Sequence, residues 1–222
     1  MKSYRAIAIL PAFNESKNIR KVIEKTKKQV SKVLVVDDGS SDNTSSIARK
    51  AGADVIRLEK NSGVGYASRI GLKKAIKEKY DIIVFLDADG QLDPKYITQF
   101  IEKVKEGYDY VYGRRNLYKY QLNRIIGNWG LTFLTNLICP TGILDIECGY
   151  RAIPLRTAKK LKLKAMGYER EVDFIYEVWR NKLKVSYVKV TVPVFHPKSR
   201  LRAMLRGTKN FLFFLKRRIG LI

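Results

Sequence analysis

Short apolar runs alternate with amphipathic segments through the first half of the chain. Five runs have the length and composition of buried strands, namely residues 6–10, 33–36, 54–58, 82–86 and 108–112. Between the runs, apolar side chains recur three and four positions apart, which predicts helices; Ile19, Val22 and Ile23 begin the first of them. Strands and helices alternating at this spacing predict an α/β fold with a mainly parallel sheet and helices on both faces.

Acidic residues follow two of these runs directly. Asp37 and Asp38 follow the second run, and Asp87, Asp89, Gln91 and Asp93 follow the fourth. Ligands bind outside the carboxyl ends of strands in open α/β sheets, so we expect both acidic loops to open on one ligand-binding edge. Such oxygen groups suit Mg²⁺ or Mn²⁺, which share their coordination with substrate phosphates. A solvated acidic turn is the alternative, because Asp, Gly and Pro are common loop residues.

The second half of the chain has a different pattern. Basic residues from Arg114 to Arg124 lead into an apolar stretch over residues 122–138, which predicts one or two amphipathic helices with a broad apolar face. A core helix with a solvated basic end is the alternative. Further on, Asp145 and Arg151 stand among apolar neighbours. Because buried charges are costly unless they are paired, we expect a partner or a ligand for each of them.

A helix is also predicted over residues 168–180. Its start carries Glu169, Glu171 and Asp173, which stabilise the helix dipole there even if they have no other role. Residues 185–190 and 192–195 then give further strand character.

The C-terminal segment is strongly basic. Residues 198–222 contain eight basic residues and no acidic one, interleaved with bulky apolar residues. This composition predicts a basic amphipathic helix, or a pair of helices, suited to an anionic membrane interface. A coiled-coil or nucleic-acid-binding helix is the alternative, and the clustering of the aromatic residues disfavours it.

Composition narrows the possible partners. The formal charge of +23 on 222 residues implies an anionic partner, namely nucleic acid, an acidic membrane surface or phosphorylated substrates. The two cysteines suggest neither a disulfide framework nor a zinc site. A signal peptide and an apolar stretch long enough to cross a bilayer are both missing from the sequence, so we expect the active part on the cytoplasmic face of the membrane, peripheral or anchored.

Seven segments, taken in order, carry a family resemblance. They are residues 11–15 (Pro-Ala-Phe-Asn-Glu), 36–44 (Val-Asp-Asp-Gly-Ser-Ser-Asp-Asn-Thr), 63–66 (Gly-Val-Gly-Tyr), 87–91 (Asp-Ala-Asp-Gly-Gln), 113–114 (Gly-Arg), 145–151 (Asp-Ile-Glu-Cys-Gly-Tyr-Arg) and 167–173 (Gly-Tyr-Glu-Arg-Glu-Val-Asp). Together they resemble the inverting GT-A glycosyltransferases of family 2, and within them the dolichyl-phosphate mannose synthases and related polyprenyl-phosphate sugar transferases.

The resemblance implies a GT-A fold, a nucleotide-sugar donor, and Mg²⁺ or Mn²⁺ as cofactor. It implies that the base and ribose are held by Pro11, by Asn14 or Glu15, and by Asp38, and that the metal and donor phosphates are held by Asp87, Asp89 and Gln91. The implied reaction is metal-dependent transfer of a hexose to dolichyl or polyprenyl phosphate. Mannose from GDP-mannose is the first expectation, and a UDP-sugar such as UDP-glucose is the alternative.

An acceptor phosphate needs charge neutralisation more than a base. The second pKa of a phosphate monoester is about 6, so the acceptor phosphate is largely a dianion at neutral pH. Arginine forks suit it, and the candidates are Arg114, Arg124, Arg151, Arg200 and Arg202. Asp145 is expected to orient an arginine or to lie on the acceptor side. The candidate catalytic set is therefore Asp89, Arg114, Asp145 and Arg151.

These expectations divide the chain into two parts. Residues 1–197 form the glycosyltransferase domain, with a donor half to about residue 113 and an acceptor half over residues 114–197, and residues 198–222 form the membrane-interface helices. A nucleic-acid-binding protein is the rival class, although the acidic residues gather at strand ends and no recognition motif is present in the sequence. The sequence does not indicate an oligomeric state.

Overall fold

The computed structural model describes residues 4–116, 122–192 and 200–222. Its strands are β1 (Ala6–Ala12), β2 (Lys32–Asp37), β3 (Asp54–Arg57), β4 (Ile82–Phe85), β5 (Tyr110–Arg115), β6 (Arg151–Pro154) and β7 (Val185–Val190). Its α-helices are α1 (Ile19–Thr26), α2 (Thr44–Lys50), α3 (Val64–Lys77), α4 (Ile97–Lys105), α5 (Leu122–Ile138), α6 (Leu155–Ala158), α7 (Arg170–Arg180) and α8 (Arg200–Arg218).

The strands form one seven-stranded sheet in the order β3-β2-β1-β4-β6-β5-β7. Strand β6 runs antiparallel to both β4 and β5, and the other pairings are parallel. The predicted mainly parallel α/β sheet is confirmed. From β1 the chain adds β2 and β3 on one side of the sheet and then places β4 on the other side of β1. The loops at the carboxyl ends of β1 and β4 begin near Phe13 and Leu86.

Alternation along the central strands produces two cores. On β1, Ala8 and Leu10 face a core shared with α1 and α4, whereas Ile7 and Ile9 face a second core shared with α3 and α7. All four side chains are essentially inaccessible to solvent. Because strand side chains alternate between faces, a strand buried on both sides must be apolar throughout, as this one is.

The C-terminal segment forms a single helix, α8, within the described ranges. Its second half packs against the protein: Phe214 is fully buried and Arg217 is 5% exposed, while Leu212 on the helix and Ile219 directly after it are exposed. In the ranges that the structure describes, no helix is both long and apolar enough to cross a membrane.

The expected subdivision stays a prediction. The boundary between residues 197 and 198 lies outside the described residues, as does most of the expected strand after residue 191. The boundary after residue 113 falls inside β5, whose neighbours β6 and β7 come from the second half of the chain. The two halves therefore share one sheet.

Candidate active site

The two adjacent aspartates after β2 have different partners. Asp37 is fully buried and closes its own loop, accepting hydrogen bonds from the Ser40 amide (2.9 Å) and the Ser45 hydroxyl. Asp38 reaches the loop after β3, where its two carboxylate oxygens accept from the amides of Ser62 and Gly63, each at 2.8 Å. Asp38 thus fixes the backbone immediately before α3.

The loop after β1 is tied to the loop after β2. Asn14 has a left-handed backbone (φ 56°), which asparagine tolerates better than most residues. Its amide donates to Ser40 Oγ at 2.9 Å, and its side-chain oxygen accepts from the Ser41 amide at 2.9 Å. The Glu15 amide donates to Thr44 Oγ1 at 2.8 Å, and Pro11 lies buried in β1. The expected base and ribose residues are brought together with the loop that contains Asp38.

The loop after β4 collects negative charge. Asp89 Oδ1 accepts a hydrogen bond from the Gln91 amide at 2.9 Å. Burial raises the pKa of the Asp89 carboxyl to about 6, and the charges of Asp87 and Glu15 add to that rise against the opposing effect of the Gln91 amide. Carboxylates from two strand ends, Glu15 after β1 and Asp87 after β4, therefore both act on Asp89.

Arg170, at the start of α7, contacts this acidic loop and was not among the predicted site residues. Its Nη2 donates to Asp87 Oδ1 at 3.0 Å, its Nη1 to Ser68 Oγ at 3.1 Å and its Nε to Glu171 Oε1 at 2.8 Å. The side chain is only 5% exposed. The motif over residues 167–173 contains this arginine, but its partner lies 83 positions away, so spacing alone could not pair them.

The segment over residues 145–151 lies against the acidic loop after β4. A Cβ atom at Gly149 would collide with the Asp87 carboxylate, so the backbone there lies directly against the acidic loop.

Asp145 pairs with Arg115, a residue that the sequence analysis did not select. The Arg115 fork binds both carboxylate oxygens, with Nε to Oδ2 and Nη2 to Oδ1 each at 2.8 Å, and its amide donates to Oδ2 at 3.1 Å. The Asp145 side chain is 1% exposed and that of Arg115 is 18% exposed. The predicted pairing of Asp145 with an arginine is present, and its partner is the neighbour of the expected Arg114.

The remaining predicted arginines differ in position. Arg114 is partly exposed, with its guanidinium carbon 5.3 Å from the centre of the Tyr187 ring. Arg151 is 1% exposed, pairs with Glu171 and packs 4.3 Å over the Phe174 ring. Burial lowers the pKa of Arg151. In this conformation the enclosed side chain stabilises the neighbouring α7 residues and does not contact an acceptor phosphate.

Three further candidates carry no structural test. The side chains of Arg124, Arg200 and Arg202 lie outside the described residues, and their expected roles stay predictions.

The donor set for a cation is small. Among the described side chains, no group of three or more His, Cys, Asp or Glu residues is arranged to hold a metal by itself. Mg²⁺ is commonly held by one or two carboxylates together with substrate phosphates, so Asp87 and Asp89 fit an ion that arrives with a diphosphate. Burial is the main cause of the raised pKa of Asp89, and the charges of Asp87 and Glu15 add to it; a cation at this loop would offset that negative charge.

Sequence and structure comparisons place the chain in a family. The sequence profile described as glycosyl transferase family 2 matches residues 7–161. The chain belongs to this family. It is thus a family 2 glycosyltransferase, as the motifs indicated.

Three relatives of this glycosyltransferase span most of its length. An uncharacterized protein of Methanocaldococcus jannaschii is 37% identical over 95% of this chain and 91% of its own. The UDP-N-acetylglucosamine–dolichyl-phosphate N-acetylglucosaminyltransferase of Methanococcus voltae is 30% identical over 96% of this chain and 95% of its own. The polyprenol monophosphomannose synthase of Mycolicibacterium smegmatis is 28% identical over 84% of this chain and 77% of its own.

A solved structure confirms the architecture of the glycosyltransferase. Glucosyl-3-phosphoglycerate synthase of Mycobacterium tuberculosis, crystallised with Mn²⁺, UDP and glucosyl-3-phosphoglycerate, matches with a TM-score of 0.79 at 22% identity. The match covers 98% of this chain and 80% of that chain, and it bears out the GT-A fold class.

Proposed function

We propose that this family 2 enzyme transfers a sugar, with inversion, from a nucleotide sugar to a dolichyl or polyprenyl phosphate at a membrane surface. One observation carries the proposal: the charges of Glu15 and Asp87 both act on Asp89 at the edge of the sheet, and Asp38 holds the loop before α3 by two hydrogen bonds. The names of two relatives support the lipid phosphate as acceptor.

The donor half supplies groups for both ends of a nucleotide sugar. Pro11, Asn14, Glu15 and Asp38 would bind the base and ribose. Asp87 and Asp89, with Gln91, would hold a Mg²⁺ or Mn²⁺ ion and the donor phosphates. When bound, the ion would offset the charge that develops on the departing nucleoside diphosphate. Arg170 fixes Asp87 and offsets part of its charge, so the acidic loop is oriented before the donor arrives.

The acceptor supplies its own nucleophile. An ionised phosphate oxygen forms the new bond to the anomeric carbon, and the bond from that carbon to the nucleoside diphosphate breaks. The phosphate is already deprotonated at neutral pH, so the protein must mainly neutralise and aim it. Both arginines on β5 are partly exposed, but Arg115 is held by Asp145. We assign acceptor contact to Arg114 and orientation of this strand end to the Arg115–Asp145 pair.

The identity of the sugar rests on the alternatives that the sequence left open. GDP-mannose stays the first candidate donor, and the mycobacterial relative is named for phosphomannose synthesis. A UDP-sugar is the alternative, and the methanococcal relative is named for UDP-N-acetylglucosamine.

The proposed acceptor and the surface of the protein both support membrane association. Exposed apolar side chains lie on α5 (Phe133, Leu137), on α8 (Leu212) and directly after α8 (Ile219), and the chain carries a net charge of +23. Apolar residues next to basic ones suit the headgroup region of an anionic bilayer. We propose that the enzyme acts on the cytoplasmic face with these two helices toward the lipid.

Transfer assays with the full chain test the proposal. Radiolabelled GDP-mannose, UDP-glucose and UDP-N-acetylglucosamine are each incubated with a polyprenyl phosphate in detergent, with Mn²⁺ or with EDTA. We expect label in the lipid fraction from one nucleotide class, abolished by EDTA and by Asp87→Asn. Absence of lipid product from all three donors, together with salt-sensitive binding to nucleic acid, would overturn the proposal in favour of the rival class.

A further inference from the structure

Arg217 on α8 is buried between two acidic residues of α7. Its Nε donates to Asp173 Oδ1 at 2.8 Å and its Nη2 to Glu177 Oε1 at 2.7 Å. Both carboxylate side chains are fully buried, and the arginine side chain is 5% exposed. The same Nη2 donates to the Lys162 carbonyl at 2.8 Å. A fork that binds three acceptors at once fixes both helices against the chain around residue 162.

The two acids hold the backbone that precedes α7. Asp173 Oδ2 accepts from the amides of Lys164 (2.6 Å) and Ala165 (2.8 Å). Glu177 Oε2 accepts from the Lys162 amide at 3.0 Å. Three amides of this segment, residues 162–165, therefore bind carboxylates instead of backbone carbonyls. The segment depends on these two buried side chains for its position.

The residues that follow this segment shape the glycine loop of the donor half. The Met166 carbonyl accepts from the Tyr66 amide at 2.9 Å. A Cβ atom at Gly63 would collide with that carbonyl oxygen, and one at Gly65 would lie 2.6 Å from the Ala165 oxygen. Backbone thus packs on backbone, and the Gly63 amide on the other side of this contact is one of the two that bind Asp38.

Among these residues, Arg217 is the one whose loss would leave a buried charge without a partner. Burial raises the pKa of Asp173, and the charge of Arg217 opposes that rise. Glu177 has a second cation in Arg180, whose Nη2 lies 2.7 Å from Oε2. For Asp173, Arg217 is the cation that the described part of the chain supplies. Without it, the carboxylate that holds residues 164 and 165 would be buried without a counter-charge.

We infer that Arg217 is a positioning residue for donor binding, acting through Asp173 and residues 162–166 on the loop that Asp38 grips. The inference rests on the proposed function for its kinetic consequence only. The C-terminal helix α8 would then help to position the nucleotide-binding loop, in addition to any contact with lipid.

Hydrogen exchange of the full chain without substrate tests this path directly. Arg217→Met is compared with Lys216→Met, which removes the same charge from the adjacent, exposed position of α8. We expect faster exchange of the Ser62, Gly63 and Tyr66 amides in Arg217→Met, about tenfold or more, with wild-type exchange in Lys216→Met. Unchanged exchange of these amides, or acceleration spread evenly over the whole sheet, would overturn the inference and leave a purely structural role.

Kinetics give the second readout. We expect Arg217→Met to raise KM for the nucleotide sugar about tenfold with little change in KM for the lipid phosphate, since the donor loop moves and the acceptor side does not. If Arg217→Met does not fold, Arg217→Lys supplies the test, because lysine keeps the charge but cannot bridge both carboxylates as a fork. Equal effects on both KM values would contradict the inference. If the wild type transfers no sugar, the proposed function fails, and hydrogen exchange still decides the role of Arg217.

Discussion

The carboxylate of Asp87 accepts a 3.0 Å hydrogen bond from the guanidinium of Arg170. The bond joins the loop after β4, in the donor half, to the first residue of α7. Arg170 also binds Ser68 and Glu171, so three partners fix the position of its guanidinium. Asp87 is therefore oriented by a protein group that is in place before substrate binds. The site is thus partly preorganised by a residue from the second half of the chain.

Replacing Arg170 is expected to damage both folding and transfer. Arg170→Met leaves the carboxylates of Asp87 (32% exposed) and Glu171 (12% exposed) without this partner, which we expect to cost about 1–3 kcal/mol. We expect kcat/KM to fall at least about 100-fold, equivalent to roughly 2.7 kcal/mol, because Asp87 loses its orientation. Chemical denaturation and the lipid-transfer assay measure the two effects.

Arg156→Met is the matched control for this substitution. Arg156 is 54% exposed in its pair with Asp109, so its loss should change stability by less than about 1 kcal/mol and leave transfer intact. A variant at Arg170 that keeps normal kcat/KM would show that Asp87 needs no help from α7.

The pH dependence of stability should report Asp89. Its pKa is about 6 in the folded protein against an ordinary value of 3.8, so between these pH values the folded state binds more protons than the unfolded state. The contribution of Asp89 to stability therefore falls as pH rises through this window. In EDTA, Asp89→Asn should match the wild type near pH 4 and melt a few degrees higher at pH 7, where 1 kcal/mol is roughly 2–4 °C.

Metal binding should follow the opposite trend. A cation requires the ionised carboxylate, so Mn²⁺ affinity in the presence of nucleoside diphosphate should rise as pH increases through about 6 and then level off. Titration calorimetry at several pH values measures it. A flat profile from pH 5 to pH 8 would exclude Asp89 as a titrating ligand.

The hydrophobic pattern predicted the sheet because each central strand is buried on both faces and is apolar throughout. The same pattern placed Asp38, Asp87 and Asp89 at strand ends, where parallel connections must bring them to one edge. What it could not provide was the antiparallel insertion of β6 between β4 and β5. That pairing depends on contacts between distant parts of the chain.

The sequence also could not predict which charged residues pair with each other. The sequence marked Asp145 and Arg151 as buried charges in need of partners, and both have them. Their partners, Arg115 and Glu171, are ordinary members of charged runs, and periodicity does not distinguish them from solvated neighbours. Arg114 and Arg115 differ by one position on a strand and hence face opposite sides of the sheet, which only the register decides.

This adjacent pair of arginines offers a direct contrast. Arg115→Met should lower stability by about 3–5 kcal/mol, because it leaves the 1% exposed carboxylate of Asp145 without its partner. Arg114→Met should cost only about 0.5–1 kcal/mol from its contact with the Tyr187 ring, yet raise KM for the lipid phosphate about tenfold. Thermal unfolding and acceptor kinetics are measured on both variants. An Arg114 variant with unchanged acceptor KM would remove it from the acceptor site.

Gly63 tests whether the donor loop needs its close approach to the second half. Its φ of 98° is a conformation that side chains rarely adopt, and an added methyl group would meet the Met166 carbonyl, which is backbone and cannot swing aside. Gly63→Ala should therefore cost about 1–3 kcal/mol and raise KM for the nucleotide sugar, because the amide that binds Asp38 must shift. Gly130→Ala is the control: its methyl group would meet nothing within 4 Å on α5, and a helical alanine is favoured over glycine by about 0.5–1 kcal/mol. If both variants bind donor like the wild type, contact between the loop and residue 166 is not what sets nucleotide affinity.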